Sequence, residues 1–322
     1  MNRQSSLQRI QQQQSPWDIL IIGGGATGIG IAVDAASRGY SVCLFEQSDF
    51  GKGTSSRSTK LVHGGVRYLR QGNLALVFGA LRERAILRRN APHLVHDMPF
   101  IVPSYGRLDS PFYWTGLKLY DLLSLGQSFG KSELLSRQDV LTLAPTIEPK
   151  GLRGGVMYHD GQFDDARLLI SLAQTADAHG AALLNYAPVV RLLHDSQGKV
   201  RGVDIRDLET GQECTIASRC VINATGAFVD AVRRLDDPAS SAMIAPSQGT
   251  HIVLPRSFLP GDTAIMVPKT PDGRVMFAVP WNGQVVVGTT DTPVIAATIE
   301  PVAQQQEINF ILETAGRYLA IK

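Results

Sequence analysis

Six residues near the N-terminus have the types and spacing of a dinucleotide-binding turn. Residues 23–28 read Gly-Gly-Gly-Ala-Thr-Gly and fit the pattern G-x-G-x-x-G. In this pattern Gly23 permits the tight turn, Gly25 lets the backbone approach a pyrophosphate, and Gly28 lets a helix pack closely on a strand. Glu46 stands where a carboxylate can accept hydrogen bonds from a ribose diol. A glutamate here argues against a bound 2′-phosphate and does not separate NAD from FAD.

The elements that must position this turn can be read on both sides of it. Residues 18–22 are apolar and rich in β-branched side chains, which is typical of a buried parallel strand. Residues 26–38 repeat apolar side chains at helical spacing and are followed by Gly39, and residues 42–45 are a second apolar run. Because a lone glycine pattern is weak evidence, this context is what favours a nucleotide over an ordinary glycine-rich turn.

A loop rich in hydroxyl groups follows the second strand, beside Arg57 and Lys60. Its hydroxyl side chains are those of Thr54, Ser55, Ser56, Ser58 and Thr59. Such a loop can donate hydrogen bonds to phosphate or to flavin heteroatoms, although composition alone favours an ordinary solvated loop. Further along, Gly64 would let the backbone press against a flat ring system, and His63 is either a flavin neighbour or a packed histidine.

Composition excludes several classes of protein. The 322 residues are 44% hydrophobic with a formal net charge of +2, which argues against a disordered chain. The 31 Lys and Arg residues nearly balance 29 Asp and Glu residues, so a nucleic acid is not an expected partner. Three cysteines without a C-x-x-C pair predict neither a disulfide framework nor a zinc site, and fit a reducing compartment. No apolar run reaches the length of a membrane-spanning helix.

Five segments, in order along the chain, resemble the FAD-dependent, quinone-linked glycerol-3-phosphate dehydrogenase family. They are residues 51–69, 163–168, 221–226, 249–256 and 288–291. This family lies within a larger group that resembles D-amino-acid oxidase and glycine oxidase. The resemblance implies an α/β fold, in which an FAD-binding Rossmann-like domain carries an inserted or appended mixed β-sheet substrate domain. It also implies oxidation of sn-glycerol 3-phosphate to dihydroxyacetone phosphate, with hydride transfer to FAD and electrons passed to a membrane quinone.

The resemblance assigns roles to individual residues. Arg67 would bind the substrate phosphate, Tyr68 would hydrogen-bond the same ligand, and His251 would be the base for the C2 hydroxyl proton. The residues implied for FAD are Gly23, Gly25, Gly28, Glu46, Thr54, Ser55, Ser56, Ser58, Lys60, His63, Gly64, Val190, Thr225 and Gly226. Val190 would hold the adenine through its backbone. No metal is implied, although His159, Asp160, Asp164 and Asp165 could mimic a metal cluster.

Two segments bear on a membrane partner. A predicted helix over residues 74–90 carries Arg82, Arg84, Arg88 and Arg89. These arginines form either a solvated cationic face or a patch that faces anionic lipid. The aromatic run at residues 112–114 is a candidate interfacial anchor. We expect a cytoplasmic protein, or one attached peripherally to the cytoplasmic face of the inner membrane, and a homodimer is compatible with the resemblance.

The sequence predicts five regions. They are a polar tail over residues 1–16, disordered or helical; a first FAD-binding segment over 17–99; a substrate-domain insertion over 100–157; a second FAD-binding segment over 158–246; and a truncated second substrate segment over 247–322. Later motifs of the family, a G-V-R-P-like arginine and a G-G-K-[IL]-T-T segment, do not occur. A non-catalytic FAD-binding module is therefore one alternative, and an amine-oxidising flavoprotein of the same fold is another.

Overall fold

The computed structural model describes residues 1–126 and 128–320, with the side chains of Arg67 and Arg70 outside that description. The chain forms two compact units, each assembled from three stretches of sequence. The first unit comprises Met1–Ser58, Asp165–Pro246 and Val294–Glu300, and the second comprises Thr59–Asp164, Ser247–Pro293 and Pro301–Lys322.

Helices and strands are numbered in chain order. The helices are α1 Arg3–Gln12, α2 Ala26–Ser37, α3 Val66–Arg70, α4 Leu74–Asn90, α5 Asp109–Leu123, α6 Arg137–Leu143, α7 Asp165–Ala178, α8 Val229–Asp236 and α9 Gln305–Ala315. The strands are β1 Trp17–Ile22, β2 Val42–Phe45, β3 Leu61–Val62, β4 Val95–Ser104, β5 Glu133–Ser136, β6 Gly154–Phe163, β7 Ala182–Leu184, β8 Val189–His194, β9 Val200–Arg206, β10 Glu213–Asn223, β11 Ser247–Gln248, β12 His251–Pro255, β13 Ala264–Val267, β14 Met276–Trp281, β15 Gln284–Gly288 and β16 Thr292–Pro293.

The first unit is built on a sheet with the strand order β7-β2-β1-β10-β9-β8. Strands β7, β2, β1 and β10 are parallel, whereas β9 and β8 continue as an antiparallel meander. The β2 residues are all buried, because α2 and α7 cover one face of the sheet and a second apolar cluster covers the other. Parallel strands covered on both faces read as continuous apolar runs, as predicted for residues 18–22 and 42–45.

The N-terminal residues, predicted as a polar tail, include the packed helix α1. Leu7 and Ile10 lie three residues apart and therefore share a helix face, and Ile10 is buried in the cluster that contains Trp17. Arg3 also pairs with Asp207 at 2.6 Å. The helical alternative is thus the one observed, and its apolar pair explains why the helix is docked.

The second unit is built on a mixed sheet with the strand order β12-β15-β14-β13-β4-β6-β3, and β5 pairs with β6. The long pair β4–β6 is antiparallel from Val95 opposite Phe163 to Ser104 opposite Gly154. Strand β13 runs parallel to β4, and the remaining neighbours on this path are antiparallel. Two apolar clusters pack against this sheet, one with α6 and α9 and the other with α4 and α5.

The observed division differs from the predicted boundaries at 99 and 158. Residues 59–99 belong to the second unit, because β3 pairs with β6 and β4 lies between β6 and β13. The return to the first unit comes at Asp165, because β6 continues to Phe163. These long-range pairings leave no mark in local periodicity, so the boundaries could not be read from sequence.

Candidate functional site

The glycine turn has the geometry that its spacing predicts. Gly23 has a φ of +111°, and a Cβ at this position would lie 2.6 Å from the carbonyl oxygen of Ala224. A Cβ at Gly28 would lie 2.0 Å from the carbonyl oxygen of Gly23. Both distances are shorter than any carbon–oxygen contact that a side chain tolerates, so the turn closes against β10 and α2 only with glycine at these positions.

The N-terminus of α2 is directed at this turn. Gly25 is the N-cap residue, and no side chain of its own satisfies the first helical amides. Instead the amide of Ala26 donates to the Oγ of Ser55 at 2.9 Å. No acidic residue stands in the first turn, so the helix dipole and the remaining amides favour an anion. The Ser55 hydroxyl accepts in this contact and can donate its own proton to a phosphate oxygen.

The carboxylate of Glu46 is oriented by two backbone amides. Its Oε2 accepts from the amide of Gly24 at 2.7 Å, and its Oε1 accepts from the amide of Ser48 at 2.8 Å. Each carboxylate oxygen has a second lone pair, so both can also accept hydrogen bonds from a ribose diol. The position of Glu46 just after β2 fits the predicted role.

The hydroxyl-rich loop is held by contacts that the sequence did not predict. Ser56, in a short 3₁₀ helix that begins at Thr54, donates through its hydroxyl to the carbonyl of Gly51 at 2.9 Å. Ser58 donates through its amide and its hydroxyl to the Oδ2 of Asp165, at 3.1 and 2.7 Å. Asp165, which lies in the motif segment 163–168 but was assigned no role there, thus fixes the end of this loop.

Two further segments of the first unit carry predicted FAD residues. Val190 is the extra residue of a β-bulge, since Val189 pairs with Ile205 and Arg191 already pairs with Asp204. A bulge residue is left out of the regular ladder, which suits backbone contacts to a ligand. The hydroxyl of Thr225 donates to the Oδ1 of Asn223 at 2.6 Å, and Gly226 has a φ of +56° at the start of a 3₁₀ helix.

The second unit contains a cavity of about 180 Å³, and it brings together two of the residues predicted for the site. The residues that carry its chemistry are His63, Gly65, Tyr68, Asp160, Arg274 and Thr289. The sequence singled out His63 and Tyr68, whereas Arg274 is not among the predicted site residues. Arg274 donates to Asp272 at 2.6 and 2.8 Å, so its charge is paired within the protein. Arg67 lies in α3 beside Tyr68, and its side chain is outside the described part of the structure.

His251 occupies a neighbouring position in the same unit. It pairs with Gly288 across β12 and β15, one residue before Thr289, and it is not among the residues that line the cavity. Its Nε2 lies 2.9 Å from the Oγ1 of Thr59. Burial lowers the pKa of His251 below its usual 6.5, and the charge of Lys60 lowers it further. The imidazole is therefore neutral at pH 7 and able to accept a proton.

Glu307 in α9 fixes Thr250 and Thr290, the chain neighbours of His251 and Thr289, and no motif pointed to it. Its buried carboxylate accepts from the hydroxyls of Thr250 and Thr290, at 2.8 and 3.0 Å. It also accepts from Gln248 at 2.7 Å and from the amide of Gln304 at 2.8 Å. These hydrogen bonds outweigh the cost of burial and lower the pKa of Glu307 to about 2.

The prediction that Arg84 belongs to a cationic face of α4 is wrong. Helix α4 spans the predicted residues, but Arg84 is only 1% exposed and its Nη1 donates to the Oδ1 of Asp160 at 2.6 Å. Arg84 stands on the same helix face as Val77 and Leu81, which are buried. Arg82 and Arg88 are exposed.

The chain is similar to glycerol-3-phosphate dehydrogenases over nearly its whole length. A mitochondrial glycerol-3-phosphate dehydrogenase of Arabidopsis thaliana is 46% identical over 319 residues, which are 95% of this chain and 51% of that protein. The Homo sapiens mitochondrial glycerol-3-phosphate dehydrogenase is 45% identical over 321 residues, 96% of this chain and 44% of that protein. The chain therefore spans about half the length of the curated relatives it matches.

Solved structures show a similar fold. The glycerol-3-phosphate dehydrogenase of Bacillus halodurans complexed with FAD superimposes with a TM-score of 0.78 at 32% identity, over 99% of this chain and 56% of that one. A glycine oxidase of Bacillus cereus, at 21% identity and a TM-score of 0.65, shares the fold. The predicted fold class and the resemblance are confirmed. Since residues 18–321 match the model of the FAD dependent oxidoreductase domain, the chain belongs to that family.

Proposed function

We propose that this chain carries FAD and takes part in the oxidation of sn-glycerol 3-phosphate to dihydroxyacetone phosphate. The observation that carries the proposal is the meeting of His63, Tyr68 and Thr289 around one cavity, because they come from two of the motif segments that resemble glycerol-3-phosphate dehydrogenases. Relatives of that name that are 43–46% identical to this chain support the same substrate.

The first unit has the groups that an FAD dinucleotide needs. The turn at Gly23 and Gly28 leaves no room for side chains, the N-terminus of α2 offers amides to the pyrophosphate, and Glu46 can accept from the ribose. Val190 offers its backbone to the adenine. When bound, FAD supplies the acceptor for the hydride that leaves C2 of the substrate, and a membrane quinone is the proposed final electron acceptor.

The residues of the second unit would bind the substrate and receive its proton. His251, neutral at pH 7, would accept the proton of the C2 hydroxyl as the C2 hydride departs. Thr59, 2.9 Å from the His251 Nε2, orients the ring. Tyr68 would hydrogen-bond the substrate, and Arg67 remains the proposed partner of its phosphate, since a guanidinium can bind phosphate bidentately.

The test is the visible spectrum of the purified chain before and after anaerobic glycerol 3-phosphate. Bound flavin that bleaches supports the proposal, and a His251→Gln variant should retain flavin but bleach about 10²–10⁴-fold more slowly. Flavin that bleaches with glycine or proline instead would support an amine-oxidising protein. Flavin that bleaches with none of them would support a non-catalytic binding module.

Peripheral contact with a membrane is the second part of the proposal. Among the helices of the described residues, none is long and apolar enough to cross a bilayer. Helix α5 exposes Phe112 and Leu122, at 62% and 70%, and Leu119 between them. It contacts α4, which exposes Arg82, and also Arg88, whose guanidinium donates to Asp97 at 2.6 Å. Exposed apolar side chains beside cations are typical of a surface that binds anionic lipid. The cytoplasmic side of the inner membrane stays a prediction.

Sedimentation with vesicles tests this surface. A Phe112→Ser, Leu122→Ser double variant should lose binding to vesicles that contain anionic lipid. The matched control is Leu312→Ser, which removes a leucine that is 50% exposed on α9. Equal vesicle binding by both variants would contradict a membrane role for α5.

A further inference from the structure

A fully buried chain of hydrogen bonds ends on the backbone of the loop that carries His63. The Nη1 of Arg84 donates to the Oδ1 of Asp160 at 2.6 Å, and the hydroxyl of Tyr120 donates to the Oδ2 of Asp160 at 2.7 Å. The amide of Gly64 donates to the Tyr120 oxygen at 2.7 Å. Arg84, Asp160 and Tyr120 are 1%, 1% and 2% exposed, so water does not compete for these contacts.

The direction of each hydrogen bond in this chain is fixed by chemistry. A guanidinium has no acceptor, so Arg84 can only donate to the Asp160 carboxylate. A carboxylate accepts only, so the single proton of the Tyr120 hydroxyl is committed to Asp160. The lone pairs of the Tyr120 oxygen therefore face Gly64, and the Gly64 amide has one buried partner.

This contact sets the orientation of the peptide between His63 and Gly64. In a trans peptide the C=O points opposite to the N–H, so the carbonyl of His63 is directed away from the Tyr120 hydroxyl. The next amide, that of Gly65, donates to the Nδ1 of His63 at 3.0 Å. With Nδ1 as the acceptor, the ring N–H is the one at Nε2. His63 and Gly65 line the cavity, whereas Tyr120 does not. The Tyr120 hydroxyl therefore orients polar atoms of the cavity wall from the side that faces away from the cavity.

The spacing leaves the loop no freedom to approach Tyr120 differently. A Cβ at Gly64 would lie 2.4 Å from the Tyr120 hydroxyl oxygen and 2.5 Å from the Cδ2 of Leu81. The loop backbone is thus pressed directly onto these two side chains, and the phenol fixes its depth as well as its orientation.

We propose that Tyr120 is a positioning residue for the His63–Gly65 segment of the cavity wall, with the Arg84–Asp160 pair holding its hydroxyl in place. No motif in the sequence marks Tyr120, which lies in the middle of α5. The proposal rests on the proposed function only in its consequence for substrate oxidation, because the orientation of the loop can be measured without flavin or substrate.

The first experiment compares Tyr120→Phe with Tyr105→Phe in the full chain. Tyr105 is the matched control, since its hydroxyl also makes a hydrogen bond to the backbone, donating to the carbonyl of Glu148 at 2.9 Å, and it packs against the other apolar cluster of the same unit. In the flavin-free protein, Tyr120→Phe should accelerate hydrogen exchange at Gly64 by about 10-fold or more and shift the NMR signals of His63. Tyr105→Phe should change neither.

The second experiment measures the rate at which glycerol 3-phosphate bleaches bound flavin. Tyr120→Phe should lower that rate about 10-fold while flavin stays bound, and Tyr105→Phe should leave it within about 2-fold of the wild type. Unchanged exchange at Gly64, or equal effects of the two variants on exchange and rate, would overturn the proposal. If no substrate bleaches the flavin of the wild type, the proposed function fails. The exchange result at Gly64 still decides the role of Tyr120.

A third variant tests the role of the Arg84–Asp160 pair. Asp160→Asn retains an oxygen that can accept from Tyr120 but removes the charge that Arg84 stabilises. The proposal expects accelerated exchange at Gly64 in this variant as well, because an amide can also donate to the Tyr120 oxygen and therefore no longer fixes the direction of that hydrogen bond. Exchange at Gly64 that is as slow as in the wild type would count against the chain of contacts.

Discussion

The Nε2 of His251 lies 2.9 Å from the Oγ1 of Thr59. This contact joins the first residue of β12 to the end of the hydroxyl-rich loop, within the second unit. Because the imidazole is partly buried and close to the charge of Lys60, its neutral form is favoured. The imidazole of His251 can thus accept a proton. It belongs to the residue that pairs with Gly288, and Gly288 directly precedes Thr289 of the cavity wall.

Replacing Lys60 should raise the pKa of His251. In Lys60→Gln the imidazolium no longer faces a nearby positive charge, so it forms at a higher pH. NMR titration of the His251 ring protons measures this, and Lys150→Gln, a change at an exposed lysine, serves as the control. The wild type should lose stability as the pH falls from 6.5 through the lower folded-state pKa of His251, because the unfolded chain binds the proton more tightly. A pKa that stays the same or falls in Lys60→Gln would contradict this account.

Glu307 should make the second unit sensitive to acid. Its folded-state pKa of about 2 lies below the usual 4.5, so its contribution is complete above pH 4.5 and is lost as the pH falls towards 2. The shift corresponds to about 3 kcal/mol of unfolding free energy. Urea unfolding at pH 7 and pH 3 should show that Glu307→Gln is destabilised at pH 7 and has a weaker pH dependence. Glu313→Gln, at an exposed position of α9, should resemble the wild type, and similar curves for both variants would refute the assignment.

The Arg84–Asp160 pair should be strongly coupled. Arg84→Met leaves a carboxylate buried without its cation, and we expect a loss of about 3–5 kcal/mol in unfolding free energy. Adding Asp160→Asn should recover part of that loss, because the uncompensated charge is then gone. Arg82→Met, on the exposed side of α4, should change stability by less than about 0.5 kcal/mol. Additive effects of the two changes in a double-mutant cycle would show that the pair is not coupled.

Two glycines of α2 should respond in opposite ways to alanine. A Cβ at Gly28 meets the Gly23 carbonyl oxygen at 2.0 Å, so Gly28→Ala should cost about 1–3 kcal/mol or more and abolish flavin binding. A Cβ at Gly30 meets nothing within 4 Å, so Gly30→Ala should stabilise the helix by about 0.5–1 kcal/mol. Thermal unfolding and flavin fluorescence of the two variants provide the measurement. Flavin retention in Gly28→Ala would exclude the close-packing role of this glycine.

Local patterns in the sequence were sufficient for the nucleotide turn. The run of apolar residues in β1, the glycines at 23, 25 and 28, and the helical period of α2 are all determined by neighbours within a few residues. The sequence pattern therefore predicted the strand, the turn and the helix of this motif correctly. The predicted helix over residues 74–90 likewise coincides with α4.

The cavity wall could not be predicted in the same way. Asp160 and Arg274 of the wall come from β6 and the turn before β14, and Tyr120, which contacts the wall from behind, comes from α5. Only the tertiary fold of the second unit brings these segments together. Arg84 was misread because the helical period marks a face as polar or apolar by residue type, and a buried arginine paired to a distant aspartate does not follow that rule.

The pairing of β1 with β10 has a consequence for how the chain is made. Trp17 and Ser218 lie opposite each other in the sheet but are 201 residues apart in the chain. At about 5–20 residues per second, a ribosome needs about 10–40 seconds to deliver the second partner after the first. During that interval one edge of β1 has no strand beside it, and the wall that Ala224 gives to Gly23 does not exist. The nascent chain can therefore capture a nucleotide only late in its synthesis, after residues 59–164 of the second unit have already left the ribosome.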